Sequence, residues 1–200
     1  MKEFPQEAAA ILCGGLSRRM GVDKAFLRDS TGKLLLASLA EKLAIWFGEV
    51  RLLADRPDKF ADCPELAYPV EADLFPQTGP LGAILTALLA RPDQTFFVLA
   101  GDQPTLDLGV IKRLKGLMEK DRADAALPRH GGTIEPLYAF YGQGCATSFG
   151  LSLAAGRRAI RDSFPSLKVS YLDLSPEELP EGLFRNLNHP KEAQALGYFP

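Results

Sequence analysis

The chain has 200 residues, enough for one domain with a sizeable core or two small ones. Its 23 Lys+Arg against 25 Asp+Glu leave a formal net charge of −2, and 46% of residues are hydrophobic. That balance excludes a basic surface that grips nucleic acid through its phosphates, and it excludes disorder. No apolar run approaches the roughly 20 residues of a membrane span. The acidic start and the short apolar run 8–13 do not read as a signal peptide. Three scattered cysteines, Cys13, Cys63 and Cys145, suggest neither a disulfide framework nor a zinc site. A cytoplasmic protein with no nucleic-acid or membrane partner is therefore expected. Composition leaves 18 glycines and 15 prolines to be explained, and their placement carries the rest.

Residues 8–12 form a continuous apolar run, as in a strand covered on both faces. Leu35, Leu39, Leu43 and Trp46 recur at helical spacing and predict an amphipathic helix over 34–47. Residues 50–54 read as a second strand and 66–70 as a weaker third. Gly79-Pro80-Leu81-Gly82 opens an apolar helix reaching residue 90, with its proline in the first turn. Residues 95–100, Thr-Phe-Phe-Val-Leu-Ala, are the clearest strand and belong at the centre of the sheet. A helix over 107–120 has Asp107 at its start and Lys120 near its end, as the helix dipole favours. Strands at 123–127 and 136–141 are joined through an Arg129-His130-Gly131-Gly132 turn. A helix over 145–155 breaks at Gly156 and resumes through 157–164. A strand at 169–172 and a short helix at 190–196 close the chain. Strands alternating with helices predict an α/β fold: a single doubly wound, mostly parallel sheet flanked by helices, spanning residues 1–200.

In such sheets ligands bind beyond the carboxyl ends of the strands. The run Leu12-Cys13-Gly14-Gly15-Leu16-Ser17-Arg18-Arg19-Met20-Gly21-Val22-Asp23-Lys24 occupies that edge after the first strand. Adjacent glycines let backbone N–H groups close on a polyphosphate, and Arg18, Arg19 and Lys24 supply cations for its oxygens. The spacing matches neither G-x-G-x-x-G nor the P-loop, which disfavours a dehydrogenase or a P-loop kinase. A solvated basic loop is the alternative. Asp102, in Gly101-Asp102-Gln103-Pro104, follows the central strand onto the same rim, either as a hard oxygen ligand for Mg²⁺ beside a phosphate or as a turn cap. Asp73 fits a nucleoside contact or a solvated loop carboxylate. Gly79 and Gly82 fit a ligand-receiving helix start or a plain cap. Arg157, Arg158, Asn186 and Asn188 are late polar groups suited to a second, anionic substrate or simply to the surface. His130 and His189 have no partner at a recognised spacing and are given no catalytic role.

Taken in order, these motifs resemble the molybdenum cofactor guanylyltransferases, within the wider group of Rossmann-like nucleotidyltransferases. The matching residues are Leu12-Cys13-Gly14-Gly15, Arg18-Arg19-Met20-Gly21, Asp23-Lys24, Gly79-Pro80-Leu81-Gly82, Gly101-Asp102-Gln103-Pro104, Gly156-Arg157-Arg158 and Phe184-Arg185-Asn186-Leu187-Asn188-His189-Pro190. The resemblance implies transfer of GMP from GTP to Mo-molybdopterin, with release of pyrophosphate. It implies GTP binding by Leu12, Cys13, Gly14, Gly15, Lys24, Asp73, Gly79, Gly82 and Asp102, with Mg²⁺ on Asp102. Arg19, Lys24 and Asp102 would carry catalysis. Arg19, Arg157, Arg158, Asn186 and Asn188 would meet the molybdopterin. The nucleotide half would run over about residues 8–105 and the cofactor-substrate half over about 106–195. Cofactor-insertion proteins or molybdoenzymes would be transient partners. Two positions depart from the family: Cys13 stands where Ala is usual, and Leu53-Ala54-Asp55 replaces a nucleoside-contacting Asn. The remaining alternatives are a cytidylyl or other nucleotidyl transferase acting on a related phosphate monoester, and a non-catalytic carrier of the cofactor.

Overall fold

The computed structural model describes residues 1–14 and 23–199. Strand β1 (Phe4–Leu12) leads to a single turn of 3₁₀ helix (Lys24–Phe26), a short strand β2 (Arg28–Asp29) and helix α1 (Leu35–Trp46). Strands β3 (Phe47–Ala54) and β4 (Val70–Ala72) follow, then helix α2 (Pro80–Ala90) and strand β5 (Phe96–Ala100). Helix α3 (Leu108–Asp121) precedes strands β6 (Ala125–His130), β7 (Thr133–Ile134) and β8 (Tyr138–Tyr141). Helix α4 (Cys145–Ala154), a 3₁₀ segment (Ile160–Ser166), strand β9 (Val169–Asp173), helix α5 (Pro190–Ala195) and strand β10 (Tyr198–Phe199) complete the chain.

The main sheet has the order β4-β3-β1-β5-β8-β6-β7, with β9 also paired to β6, while β10 and β2 form a separate ribbon. Pairings β1/β3, β1/β5, β3/β4 and β6/β9 are parallel; β5/β8, β6/β8 and β6/β7 are antiparallel. The expected mostly parallel α/β sheet is therefore present, with two reversed strands: β8, inserted beside the central β5, and the two-residue β7 at the edge. Period-two alternation divides the strands between two cores. Ala9, Ile11, Phe97 and Leu99 pack with α1 and α3, whereas Ala8, Ala10, Phe96 and Val98 pack with α2 and α4. Phe97 is wedged between Phe47 (ring centroids 5.6 Å) and Tyr138 (5.0 Å), each such burial contributing about 1.5–3 kcal/mol.

Several boundaries differ from the sequence expectations. The third strand lies at Val70–Ala72 rather than 66–70, because pairing with Leu52–Ala54 places the ladder there. The glycine turn at 131–132 makes a hairpin with the two-residue β7, and β8 comes only after it. After Gly156 the chain stays non-helical through Ala159, then forms the 3₁₀ segment, whose Pro165 cannot join an α-helical ladder. The expected start of α3 is correct: the Asp107 carboxylate accepts a hydrogen bond from the Val110 N–H at 2.8 Å.

Candidate functional site

The sheet register fixes what shares an edge. Leu12 lies opposite Leu53 on one side and Ala100 on the other, and Leu53 lies opposite Glu71. The segments leaving β4, β3, β1 and β5 thus emerge side by side, presenting Asp73, Asp55, Cys13-Gly14 and Gly101-Asp102 in that order. A cleft of about 700 Å³ lies over them, lined by all of these together with Asp23, Lys24, Gln77 and Gly79. Leu36, Leu53, Ala83 and Leu137 supply its apolar walls. A deep, mostly apolar cleft with a few convergent polar groups is the usual form of a small-molecule site.

At the β5 end, the Lys24 ammonium donates to Asp102 Oδ2 at 2.7 Å and to Asn188 Oδ1 at 2.8 Å. The Leu187 N–H donates to the Asp102 carbonyl at 2.9 Å, which ties the 186–188 segment onto the strand tip. Gly101 is required here, since a Cβ would stand 2.8 Å from Leu36 Cδ2 and 3.0 Å from the Leu12 carbonyl oxygen. The Cys13 N–H is committed to the Leu53 carbonyl at 2.9 Å. The Cys13 thiol is buried and donates to the same carbonyl, and burial pushes its pKa up to about 12, partly offset by the Lys59 charge. It is a packing group, not a nucleophile.

At the β4 end, Asp73 Oδ1 accepts from the Phe75 N–H at 2.8 Å and from Thr86 Oγ1 at 3.2 Å, bracing the loop against α2. Gly79 begins α2 at φ 73°, ψ −159°, a region open essentially to glycine alone. Gly82 is turned away from the cleft. A Cβ there would lie 1.9 Å from Thr78 Oγ1 and 3.0 Å from the Phe75 carbonyl oxygen, so this glycine lets the loop pack on the helix.

Lys59, which sequence reasoning left out, holds the middle of the site together with Asp23 and Asp55. The Lys59 ammonium, only 3% exposed, lies 2.9 Å from Asp23 Oδ2 and 2.9 Å from Asp55 Oδ1. Burial lowers its pKa, but the two carboxylates outweigh this and raise it overall. Burial pushes the Asp55 carboxyl up, but its hydrogen bonds and the Lys59 and Arg56 charges together outweigh this and hold it below its ordinary value. The only sequence signal was spacing: Asp55 and Lys59 are four residues apart, and Asp23 precedes Lys24.

The sequence profile of the MobA-like NTP transferase domain matches residues 9–167. The chain belongs to this family. A molybdenum cofactor guanylyltransferase of Syntrophotalea carbinolica is 32% identical over 165 residues, covering 82% of this chain and 77% of that protein. A probable molybdenum cofactor guanylyltransferase of Peptoclostridium acidaminophilum is 32% identical over 170 residues, covering 82% of this chain and 75% of its own length. Among solved structures, the molybdopterin-guanine dinucleotide biosynthesis protein A of Archaeoglobus fulgidus superposes with TM-score 0.79 at 27% identity, covering 95% of this chain and 96% of that one.

Of the residues expected to serve a MobA-like NTP transferase, Leu12, Cys13, Gly14, Lys24, Asp73, Gly79 and Asp102 line one cleft. Gly15 and Arg19, with Arg18, Met20 and Gly21, lie outside the described residues. Asn188 reaches Lys24, and the neighbouring Asn186 has a buried Oδ1 with no hydrogen-bond partner among the described residues. Arg157 and Arg158 are exposed just after α4 and do not line the cleft. No group of three or more His, Cys, Asp or Glu among the described residues forms a metal cage. Asp102 is the carboxylate beside Lys24, and one or two carboxylates are enough for an ion that completes its shell from phosphates and water.

Proposed function

We propose that the protein transfers GMP from GTP to the terminal phosphate of Mo-molybdopterin, forming the guanine dinucleotide and releasing pyrophosphate. The observation that carries this reading is the Lys24–Asp102 contact at 2.7 Å, a cation and a carboxylate held together at the strand edge of a nucleotide-sized cleft. Names of the relatives point to the same substrates.

In this reading an ionised phosphate monoester oxygen of molybdopterin attacks the α-phosphorus of GTP. The bond from that phosphorus to the bridging β-oxygen breaks in line, and pyrophosphate carries the electron pair away. The monoester oxygen needs no general base near neutral pH, so catalysis rests on alignment and charge cancellation. Lys24 neutralises phosphate oxygens, and Arg19 is assigned the same task from its place in the glycine-rich turn. Asp102 would hold Mg²⁺, which supplies charge neutralisation of the triphosphate when bound. Gly14 and Gly15 let the backbone close on the phosphates. Asp73, Gly79 and the α2 start, with Gly82 allowing their packing, would meet the nucleoside. Residues 8–105 would thus form the nucleotide half and 106–195 the cofactor half. Asn186, Asn188 and one of Arg157 and Arg158 would hold the pterin phosphate end. Cofactor-insertion proteins or molybdoenzymes would receive the product, and the protein would act in the cytoplasm.

Pyrophosphate release from purified protein, Mg²⁺ and Mo-molybdopterin, measured with each of the four ribonucleoside triphosphates, tests the reading. Release with GTP alone is expected. Turnover with CTP in its place would make the protein a cytidylyl transferase, and binding of the pterin without turnover would make it a carrier.

A further inference from the structure

The phosphate end of the cleft is fixed by Lys24 and Asp102, so the base must lie at the other end. Asp102 follows β5, and Asp55 follows β3, two strand spacings or about 10 Å away along the same edge. That is a suitable span from the phosphates of a nucleotide to the hydrogen-bonding edge of its base. The surroundings there are mostly apolar: Leu53, Ala54, Pro76, Pro80 and Ala83. Among the polar groups at this end, Asp73 already uses Oδ1 to brace the loop before α2. Asp55 differs. Its Oδ1 is gripped by the buried Lys59, while its side chain remains 55% exposed and lines the cleft. It is therefore oriented without being covered, and it is a carboxylate able only to accept hydrogen bonds.

We propose that Asp55 is the base-reading residue of this enzyme, accepting from guanine N1–H and the 2-amino group, with Lys59 as its positioning residue. This rests on the guanylyl-transfer reading above. The chemistry discriminates among bases. Guanine is the one common base with two adjacent donors on its Watson–Crick edge. Cytosine and adenine place an acceptor next to their amino group, and uracil flanks its single N–H with carbonyls. An anchored carboxylate pairs with the first pattern and is left facing a lone pair by the others. Lys59 prevents Asp55 from turning away, and through Asp23 it anchors the residue next to Lys24, so the base end and the phosphate end share one support.

The test compares GTP with ITP, which lacks the 2-amino group, and with CTP, in Mg²⁺-dependent turnover and in equilibrium binding. Wild type is expected to prefer GTP over ITP by about 10-fold or more, the worth of one charge-assisted hydrogen bond. Asp55→Ala should bring that ratio close to one while binding pyrophosphate, which has no base, as tightly as wild type. Lys59→Met should lower the ratio in the same direction, an effect that loss of packing alone does not produce. A GTP/ITP ratio unchanged in a folded Asp55→Ala protein overturns the assignment and leaves guanylyl transfer standing. Failure of wild type to use or bind GTP overturns both.

Discussion

The Lys24 ammonium and the Asp102 carboxylate, 78 residues apart in sequence, meet at 2.7 Å across the tips of the central strands. Each comes from a different loop, so the contact depends on β1 and β5 being neighbours in register. Both side chains are mostly buried yet line the cleft, which places opposite charges side by side at one end of it.

Replacing Lys24 by Ala is expected to lower kcat about 10²–10³-fold, the usual effect of removing one preorganised donor to a developing charge. Asp102→Asn should abolish most Mg²⁺-stimulated turnover while leaving the fold intact, because the amide keeps the shape and loses the anionic ligand. Pyrophosphate release against Mg²⁺ concentration, with circular dichroism as the fold control, checks both. A Lys24→Ala protein with wild-type kcat would remove Lys24 from the transition state.

Asn188 makes a finer prediction. Its Oδ1 accepts from Lys24 at 2.8 Å, but the residue is exposed, so its contribution belongs at the low end for a hydrogen bond to a charge. Asn188→Ala should reduce turnover by about tenfold, well short of the Lys24 effect. The Lys24→Ala/Asn188→Ala double variant should lose little beyond Lys24→Ala alone, since the coupled term is already gone. Full additivity in kcat would show that Asn188 acts independently of Lys24.

How much of this was legible in the sequence follows from range. The continuous apolar runs of β1 and β5, and the motifs after them, were readable because strand burial and glycine punctuation are local signals. So was the α/β alternation. The reversal of β8 beside β5 and the bidentate hold of Lys59 on Asp23 and Asp55 were not, because each depends on contacts between distant segments. The tight packing of the loop before α2 on Gly82 is likewise not readable locally, since only the 1.9 Å approach of Thr78 Oγ1 to a Cβ there reveals it. Arg157 and Arg158 lie exposed just after α4 and outside the cleft lining, a placement that order along the chain does not give.

The start of α2 is expected to be sensitive for conformational reasons. Gly79→Ala forces a Cβ into φ 73°, ψ −159°, at about 1–3 kcal/mol. In a chain of this length that corresponds to a fall in Tm of several degrees, at about 2–4 °C per kcal/mol. Gly82→Ala should be worse. Rotation of Thr78 relieves one clash, but the backbone oxygen of Phe75 at 3.0 Å remains. Calorimetry of the two variants, with GTP titration, should show lower Tm and weaker nucleotide binding in both, more so for Gly82→Ala. The reverse order would mean that the loop 75–79 yields more easily than the backbone at 79.

Cys13 makes the last prediction, through pH. Its thiol is pushed up to about 12 by burial, against an ordinary value of 9.0, and Cys145 is raised to about 12 by the same cause. A thiol whose folded pKa lies above its unfolded one stays protonated in the native state while the unfolded chain releases its proton. Each thiol's stabilising contribution is therefore complete below pH 9 and declines as pH rises toward 12. Wild type should lose part of its urea midpoint between about pH 7.5 and about pH 10, and Cys13→Ala should lose less. The comparison is cleanest at about pH 10, where Lys59, raised above 10.5, still carries its charge in the folded protein. At neutral pH the native thiols should react slowly with a disulfide reagent and all three rapidly in urea, since every cysteine is buried. Rapid native labelling of Cys13 would mean that the floor of the cleft opens far more readily than its packing under Leu53 implies.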